Sequence, residues 1–490
     1  MSFSVQEPGL FLAILLGVPL LLFLYVFYYV AFFYAHSVDG VKVPRGNFWI
    51  FPLIGETIQA FSVPPLVFFS KQMQKYGDTF TTHLLGTPTI LTKDIELSKW
   101  VYSQTNKGLS NAIPKTTREL LGRDSIFFMT DDVHKRVRNL MKGPLSINEL
   151  VGFIPTVDKA ASDSIATWKS QKQVRVYQEI KKYVLYIAWS YLITINTQAY
   201  PYMDQMLANV PGAHVMEKLA HLYYTTQSGM MALPLLIPGT NYYKAMKARS
   251  LLQGVIKKVI ADRQNGLVKC NDFLQSMLLP MEDGSLLTDD QIMDNIFSLL
   301  GASDATTSGC VVWMVKNICE HPKVYEDLKA EHDAIKMSKA EGEALTNADL
   351  KKMTLTLWTM NETLRLVKVV GFFTGRYADE DVLCKGVAIP KNWKIGLTHG
   401  YHRDPAYFPE PDTFNPYRFE KTPPPFTFTP WGGGCRTCPG KELAKIEILT
   451  FMYHLITNYS FERAEPDEGT TWHQFPYPSN FLPINITPRI

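Results

Sequence analysis

The chain has 490 residues, of which 46% are hydrophobic and 12% aromatic, enough apolar material to exclude wholesale disorder. Its 49 Lys and Arg against 46 Asp and Glu leave a net charge of +3, too near neutrality for a protein held to nucleic acid by phosphate contacts. Six scattered cysteines are too sparse for a disulfide scaffold and place the bulk of the chain in a reducing compartment.

From Pro8 to Val38 there is no Asp, Glu, Lys or Arg, and Gly9 to Tyr34 is almost wholly apolar. At ~1.5 Å rise per residue, a helix of that length exceeds the ~30 Å hydrocarbon core of a bilayer. The stretch is too long for a signal-peptide core, nothing basic precedes it and no small-residue cleavage site closes it, so residues 1–38 are expected to be a retained membrane anchor. Glu7 lies before it and Lys42 and Arg45 after it, which puts the remainder in the cytosol by the positive-inside rule. A linker over residues 39–60, punctuated by Val43-Pro44-Arg45-Gly46 and Phe51-Pro52-Leu53-Ile54-Gly55, leads to one folded domain over residues 61–490.

In that domain the hydrophobic spacing predicts strands over Thr79 to Leu84 and Pro88 to Thr92, then helices over Asp158 to Lys169, Tyr242 to Gln264, Asp289 to Cys319, Pro322 to Met337 and Lys351 to Val367. A strand over Gly386 to Ile389 and a helix over Lys441 to Tyr459 follow. The fold class is mainly α with small β-sheets, without βαβ alternation or a glycine-rich dinucleotide fingerprint. Gly229 to Ile237 is apolar, short and broken by Pro234, a segment suited to dip into a membrane surface without crossing it. On residue type alone, His134-Lys135-Arg136-Val137-Arg138 reads as a basic solvated face. Glu362 and Arg365 share a helix face at i, i+3.

The most informative run is Phe428-Thr429-Pro430-Trp431-Gly432-Gly433-Gly434-Cys435-Arg436-Thr437-Cys438-Pro439-Gly440. Successive glycines allow a tight loop and close approach of the backbone to something large or flat. Cys438 precedes a helix start, where aligned N–H groups are expected to lower a thiol's pKa and present sulfur to a metal. The rival readings of Cys435-x-x-Cys438 are half a zinc site, which lacks a second pair, and a redox pair, which lacks its surrounding fold.

This loop resembles the haem-binding loop of the cytochrome P-450 superfamily of haem-thiolate monooxygenases, aromatic-Gly-x-Gly-x-Arg-x-Cys-x-Gly, with Trp431, Gly432, Gly434, Arg436, Cys438 and Gly440 in its six positions. The resemblance implies a cytochrome P-450 fold behind the N-terminal transmembrane helix. It implies Cys438 as axial ligand to the iron of haem b, Arg436 on a propionate and Trp431 packed near the sulfur. It implies His134, Arg138 and Arg376 as further propionate contacts. Glu362, Arg365 and Arg418, the last in Pro416-Tyr417-Arg418-Phe419, are implied to form a buried structural triad. The Pro expected after the Glu-x-x-Arg helix is absent from Leu366-Val367-Lys368-Val369-Val370.

Leu299 to Ser308 resembles the family's oxygen-activation stretch, with a departure. Matching Asp304 to the acid leaves Ala305 where the alcohol belongs, whereas matching Thr306 to the alcohol leaves Ala305 where the acid belongs. The second register is preferred, because the stretch from Asp294-Asn295 onward is similar to taxoid hydroxylases without a gap. Thr306 is then the candidate hydroxyl, and Asp304 a candidate acid one position early. Leu233 to Thr240, Lys75 to Asp78, His83 to Gly86 and Cys438 to Ala444 are similar to the plant clan containing brassinosteroid, abscisic acid, gibberellin, taxoid and triterpenoid oxidases.

The expectation is an endoplasmic-reticulum-anchored monooxygenase acting on a lipophilic terpenoid or steroid-like substrate with O2. NADPH serves only indirectly, through a flavoprotein reductase that docks in part on Lys135 and Arg136. The alternatives are a family member that rearranges an oxygenated substrate without reductase, and a non-catalytic haem protein that binds a terpenoid or steroid.

Overall fold

The computed structural model describes residues 16–27, 36–47, 55–105, 108–113, 115–195, 198–230, 232–370, 375–472 and 475–489. Residues 16–27 are helical with exposed Leu and Phe side chains. Among the described residues no helix is long and apolar enough to cross a membrane. Residues 1–15 and 28–35 of the expected anchor, and 48–54 of the linker, lie outside the described residues, and the last anchor residues, Ser37–Val38, form a short strand paired with Val41–Lys42. The chain divides into two compact units, residues 1–112 with 374–400, and residues 113–373 with 401–490.

The first unit is built on a five-stranded sheet. Its strands are β1 (Thr79–Leu84), β2 (Thr87–Thr92), β3 (Leu109–Asn111), β4 (Gly375–Ala378) and β5 (Lys394–Leu397), in the spatial order β1-β2-β5-β4-β3. β5 runs parallel to β2 with Ile395 opposite Ile90, and the other pairs are antiparallel. Ile90 and Ile395 join Leu97 and Val101 of a neighbouring helix in this unit's core. Two helices, α1 (Pro65–Tyr76) and α2 (Ile95–Gln104), flank the strands in sequence. The Asp94 carboxylate caps α2 at the Leu97 N–H.

The second unit is helical and owns the larger core. Its principal helices are α3 (Asp131–Lys142), α4 (Ile154–Ala166), α5 (Val176–Leu192), α6 (Val215–Gln227), α7 (Asn241–Gln264), α8 (Asp289–Glu320), α9 (Pro322–Met337), α10 (Thr354–Leu366) and α11 (Lys441–Asn458). α8 is the long central element, buried along most of its length and packed on α5, α10 and α11. Its start is set by a capping box in which Thr288 and Gln291 satisfy each other's backbone N–H groups.

Helix boundaries follow the sequence expectation closely, with α9 matching to the residue. Two differ for physical reasons. The fourth helix begins at Ile154, with Pro155 in its first turn where a missing N–H costs nothing. The stretch expected as one helix over Lys351 to Val367 breaks at Met353, because the Glu331 carboxylate of α9 takes the Leu355 and Thr356 N–H groups at 2.6 and 3.1 Å and caps a new helix there.

Candidate functional site

The cysteine loop and all but one of the expected site residues belong to the second unit. Gly432 and Gly434 have φ of +72° and +68°, so the loop's path requires glycine at both positions. A Cβ at Gly432 or Gly440 meets nothing within 4 Å, which leaves the floor of the loop open. The Cys438 N–H donates to the Trp431 carbonyl at 2.9 Å, folding the loop back so that Cys438 sits at the foot of α11. Trp431 packs against the core. Replacing Gly434 with Ala is expected to cost about 1–2 kcal/mol, the left-handed penalty of an L-residue. A lowered thermal midpoint of the haem-loaded variant checks it.

One expectation is corrected. Burial pushes the Cys438 thiol up, and the opposing Gly440 N–H, Arg138 and Lys441 do not reverse it. The protein alone therefore favours the thiol, and an anionic sulfur here needs a metal cation against it. Cys435 is exposed.

Three basic side chains gather beside this loop. Arg138 on α3 donates to the Thr437 carbonyl at 2.7 Å. Arg436 donates to the Ile126 carbonyl at 3.1 Å and to that of Met129. His134, one turn before Arg138, is buried, and burial together with the nearby Arg436 and Arg138 depresses its pKa to about 4. No carboxylate among the described residues forms an ion pair with Arg138. A glycine floor, one sulfur and the guanidiniums of Arg138 and Arg436 fit a flat dianionic porphyrin. Arg376 lies on β4 in the first unit, bonded to Thr105 Oγ1 at 3.1 Å and to the Gly375 carbonyl at 2.9 Å.

Glu362, Arg365 and Arg418 come together as expected. Arg365 grips Glu362 through two bonds of 2.7 and 2.8 Å, and Arg418 Nε adds a third at 3.1 Å. Both members of the Glu362–Arg365 pair are fully buried. Their remaining capacity is used by backbone: Arg365 donates to the carbonyls of His402, Pro411 and Thr413, and Glu362 accepts the Asn415 N–H. A buried ion pair is tolerable only when satisfied in this way.

On α8, Gly301, Ala302, Ser303 and Thr306 form the less buried strip, whereas Asp304 is fully buried. Two residues apart on a helix, Asp304 and Thr306 project to different faces. The Thr306 hydroxyl donates to the Ala302 carbonyl at 2.7 Å, within its own helix. Asp304 meets Lys181 of α5, whose ammonium lies 3.2 Å from Oδ2 but off the hydrogen-bonding direction, so neither carboxylate oxygen holds a hydrogen bond. Lys181 also lies 4.3 Å from the centre of the Tyr224 ring. Burial raises the Asp304 pKa to about 6 against the opposing charge of Lys181.

That shift fixes a pH dependence. The folded state binds this proton more tightly than the unfolded chain, so stability falls as pH rises from about 4 through about 6 and levels off above, by at most ~3 kcal/mol. Asp304→Asn is expected to flatten that part of a urea-midpoint profile. Lys181 was not singled out from the sequence, because its partner is 123 positions away and no local spacing marks it.

A protein-family model described as Cytochrome P450 matches residues 44–479. The chain is 35% identical over 434 residues to abscisic acid 8'-hydroxylase 1 of Arabidopsis thaliana, covering 88% of this chain and 89% of the relative. It is 35% identical over 456 residues to abscisic acid 8'-hydroxylase 1 of Oryza sativa subsp. japonica, covering 91% of each. A solved structure of cyanobacterial CYP120A1 with retinoic acid bound superposes with a TM-score of 0.79 at 24% identity, over 92% of this chain and 100% of that one, a likeness of fold.

Proposed function

The chain belongs to the cytochrome P450 family and is a monooxygenase, and from that premise we propose that it hydroxylates a lipophilic terpenoid or steroid-like substrate, with electrons from NADPH delivered by a separate flavoprotein reductase. The observation that carries the reading is the open, glycine-floored Cys438 loop with His134, Arg138 and Arg436 gathered beside it. Haem b, when bound to the Cys438 sulfur, supplies the O2 chemistry.

The chain's own residues do the rest. Arg138 and Arg436 would hold the propionate carboxylates through their N–H donors, and His134 keeps a neutral ring near them. The same role is assigned to Arg376 on the strength of the resemblance alone. Thr306 offers a hydroxyl at the C-terminal end of the less buried strip of α8 and holds a proton at Oγ1. Asp304, its pKa raised to about 6 by burial beside the partly exposed Lys181, is the candidate acid on that helix.

The relatives named as abscisic acid hydroxylases favour an oxygenated terpenoid as substrate. Gly9 to Tyr34 is assigned as a single-pass endoplasmic-reticulum anchor, and exposed Leu233, Leu235, Leu236 and Ile237 offer an apolar patch suited to a membrane surface. Arg136 is engaged with Asp283 at 2.6 Å, which leaves Lys135 as the freer cation for reductase docking.

The test supplies haem-loaded protein with a plant NADPH reductase and a panel of terpenoids and steroids that includes abscisic acid. A product heavier by one oxygen, dependent on NADPH, is expected. Turnover without NADPH favours the rearranging alternative. Ligand-induced spectral shifts with no product across the panel favour a binding protein.

A further inference from the structure

Glu447 lies in the middle of α11 with 1% of its surface exposed. Its Oε1 meets no hydrogen-bonding atom of the described chain, and Thr307, the neighbour of Thr306 on α8, lies near enough to the carboxyl to favour its charged form against burial. Thr450, one turn along the same face of α11, is also fully buried with an unpartnered hydroxyl. Tyr183 of α5 closes the third side, its hydroxyl donating to the Glu447 backbone carbonyl at 3.1 Å. Each buried polar atom left unsatisfied costs about 1–3 kcal/mol, and one internal water between two of them one turn apart would satisfy both.

We propose that α5, α8 and α11 enclose an internal water held by Glu447 and Thr450, and that the Glu447 side chain, set against α8 beside Thr307, fixes the turn that presents Thr306. Glu447 is thus a positioning residue. The water site stands on the packing alone, and only the link to Thr306 rests on the monooxygenase reading. Burial supports the neutral form, pushing the Glu447 carboxyl up to about 8. The groups that face it are Thr307 of α8 and Tyr183 of α5, and neither is a cation that could offset that push.

Two readouts decide it. Infrared spectra of the haem-loaded protein at pH 7 are expected to show a protonated-carboxyl stretch that shifts in D2O, disappears in Glu447→Gln and survives in Glu442→Gln. High-resolution density is expected to show a water touching Glu447 and Thr450 that is lost in Thr450→Val. An unchanged spectrum in Glu447→Gln, or no water between the two side chains, overturns the site, whatever the chain turns out to catalyse.

For the positioning role, the fraction of electrons that reaches product is measured. Glu447→Gln, which keeps neutral hydrogen-bonding groups, should stay near wild type. Glu447→Leu should fall about fivefold at unchanged KM, the loss of roughly one hydrogen bond's worth of alignment. If Glu447→Leu fails to load haem, Thr450→Val serves in its place. Equal coupling in every loaded variant overturns the role.

Discussion

Replacing Glu362 with Ala is expected to yield protein that fails to retain haem, before any question of catalysis arises. The substitution strands two guanidiniums, Arg365 fully buried and Arg418 largely so, and removes the acceptor of the Asn415 N–H. Leaving a buried charge without its partner costs about 3–5 kcal/mol, a large part of the stability of an ordinary domain. Arg365→Lys is expected to fail almost as badly. A lysine ammonium cannot span the two Glu362 oxygens and the carbonyls of His402, Pro411 and Thr413 at once. Haem content per chain, with soluble yield as reference, measures both. A Glu362→Ala protein with full haem content would remove the structural role assigned to the triad.

Cys438→Ser is expected to abolish the long-wavelength Soret band that thiolate ligation gives the reduced carbon monoxide complex, and to lower turnover by about a thousandfold or more, ~4 kcal/mol of barrier. Because burial raises the Cys438 thiol, the anionic sulfur exists here by virtue of the metal, and a hydroxyl at the same place does not replace it. Cys435→Ser, at an exposed position, should leave both spectrum and turnover at wild-type level. Loss of the band in Cys435→Ser and not in Cys438→Ser would exchange their assignments.

The parts legible in the sequence are those encoded locally. α9 announces itself by Pro322 and regular apolar spacing, and the cysteine loop by glycines whose positive φ no other residue adopts cheaply. Glu362 and Arg365 are marked by helix periodicity, and Arg418 by the family resemblance. What stayed hidden is set by distant partners. The break at Met353 depends on Glu331 arriving from α9, and the environment of Asp304 depends on Lys181 arriving from α5. Glu447 was readable only as one charged residue among several in its helix, and it gains meaning once its burial beside Thr307 is seen. The raised Cys438 thiol reversed an argument from the helix end, because desolvation outweighs a field that acts over a single turn.

Arg138 and Arg436 are two clasps that run in opposite directions, each joining parts of the chain about 300 residues apart. A polypeptide emerging from its N-terminus makes the Ile126 to Arg138 half first and must wait for the closing stretch of synthesis to meet its counterpart. Capture of the prosthetic group therefore belongs to the last stage of biogenesis, and a nascent chain truncated before Cys438 should emerge colourless however well its earlier helices have formed.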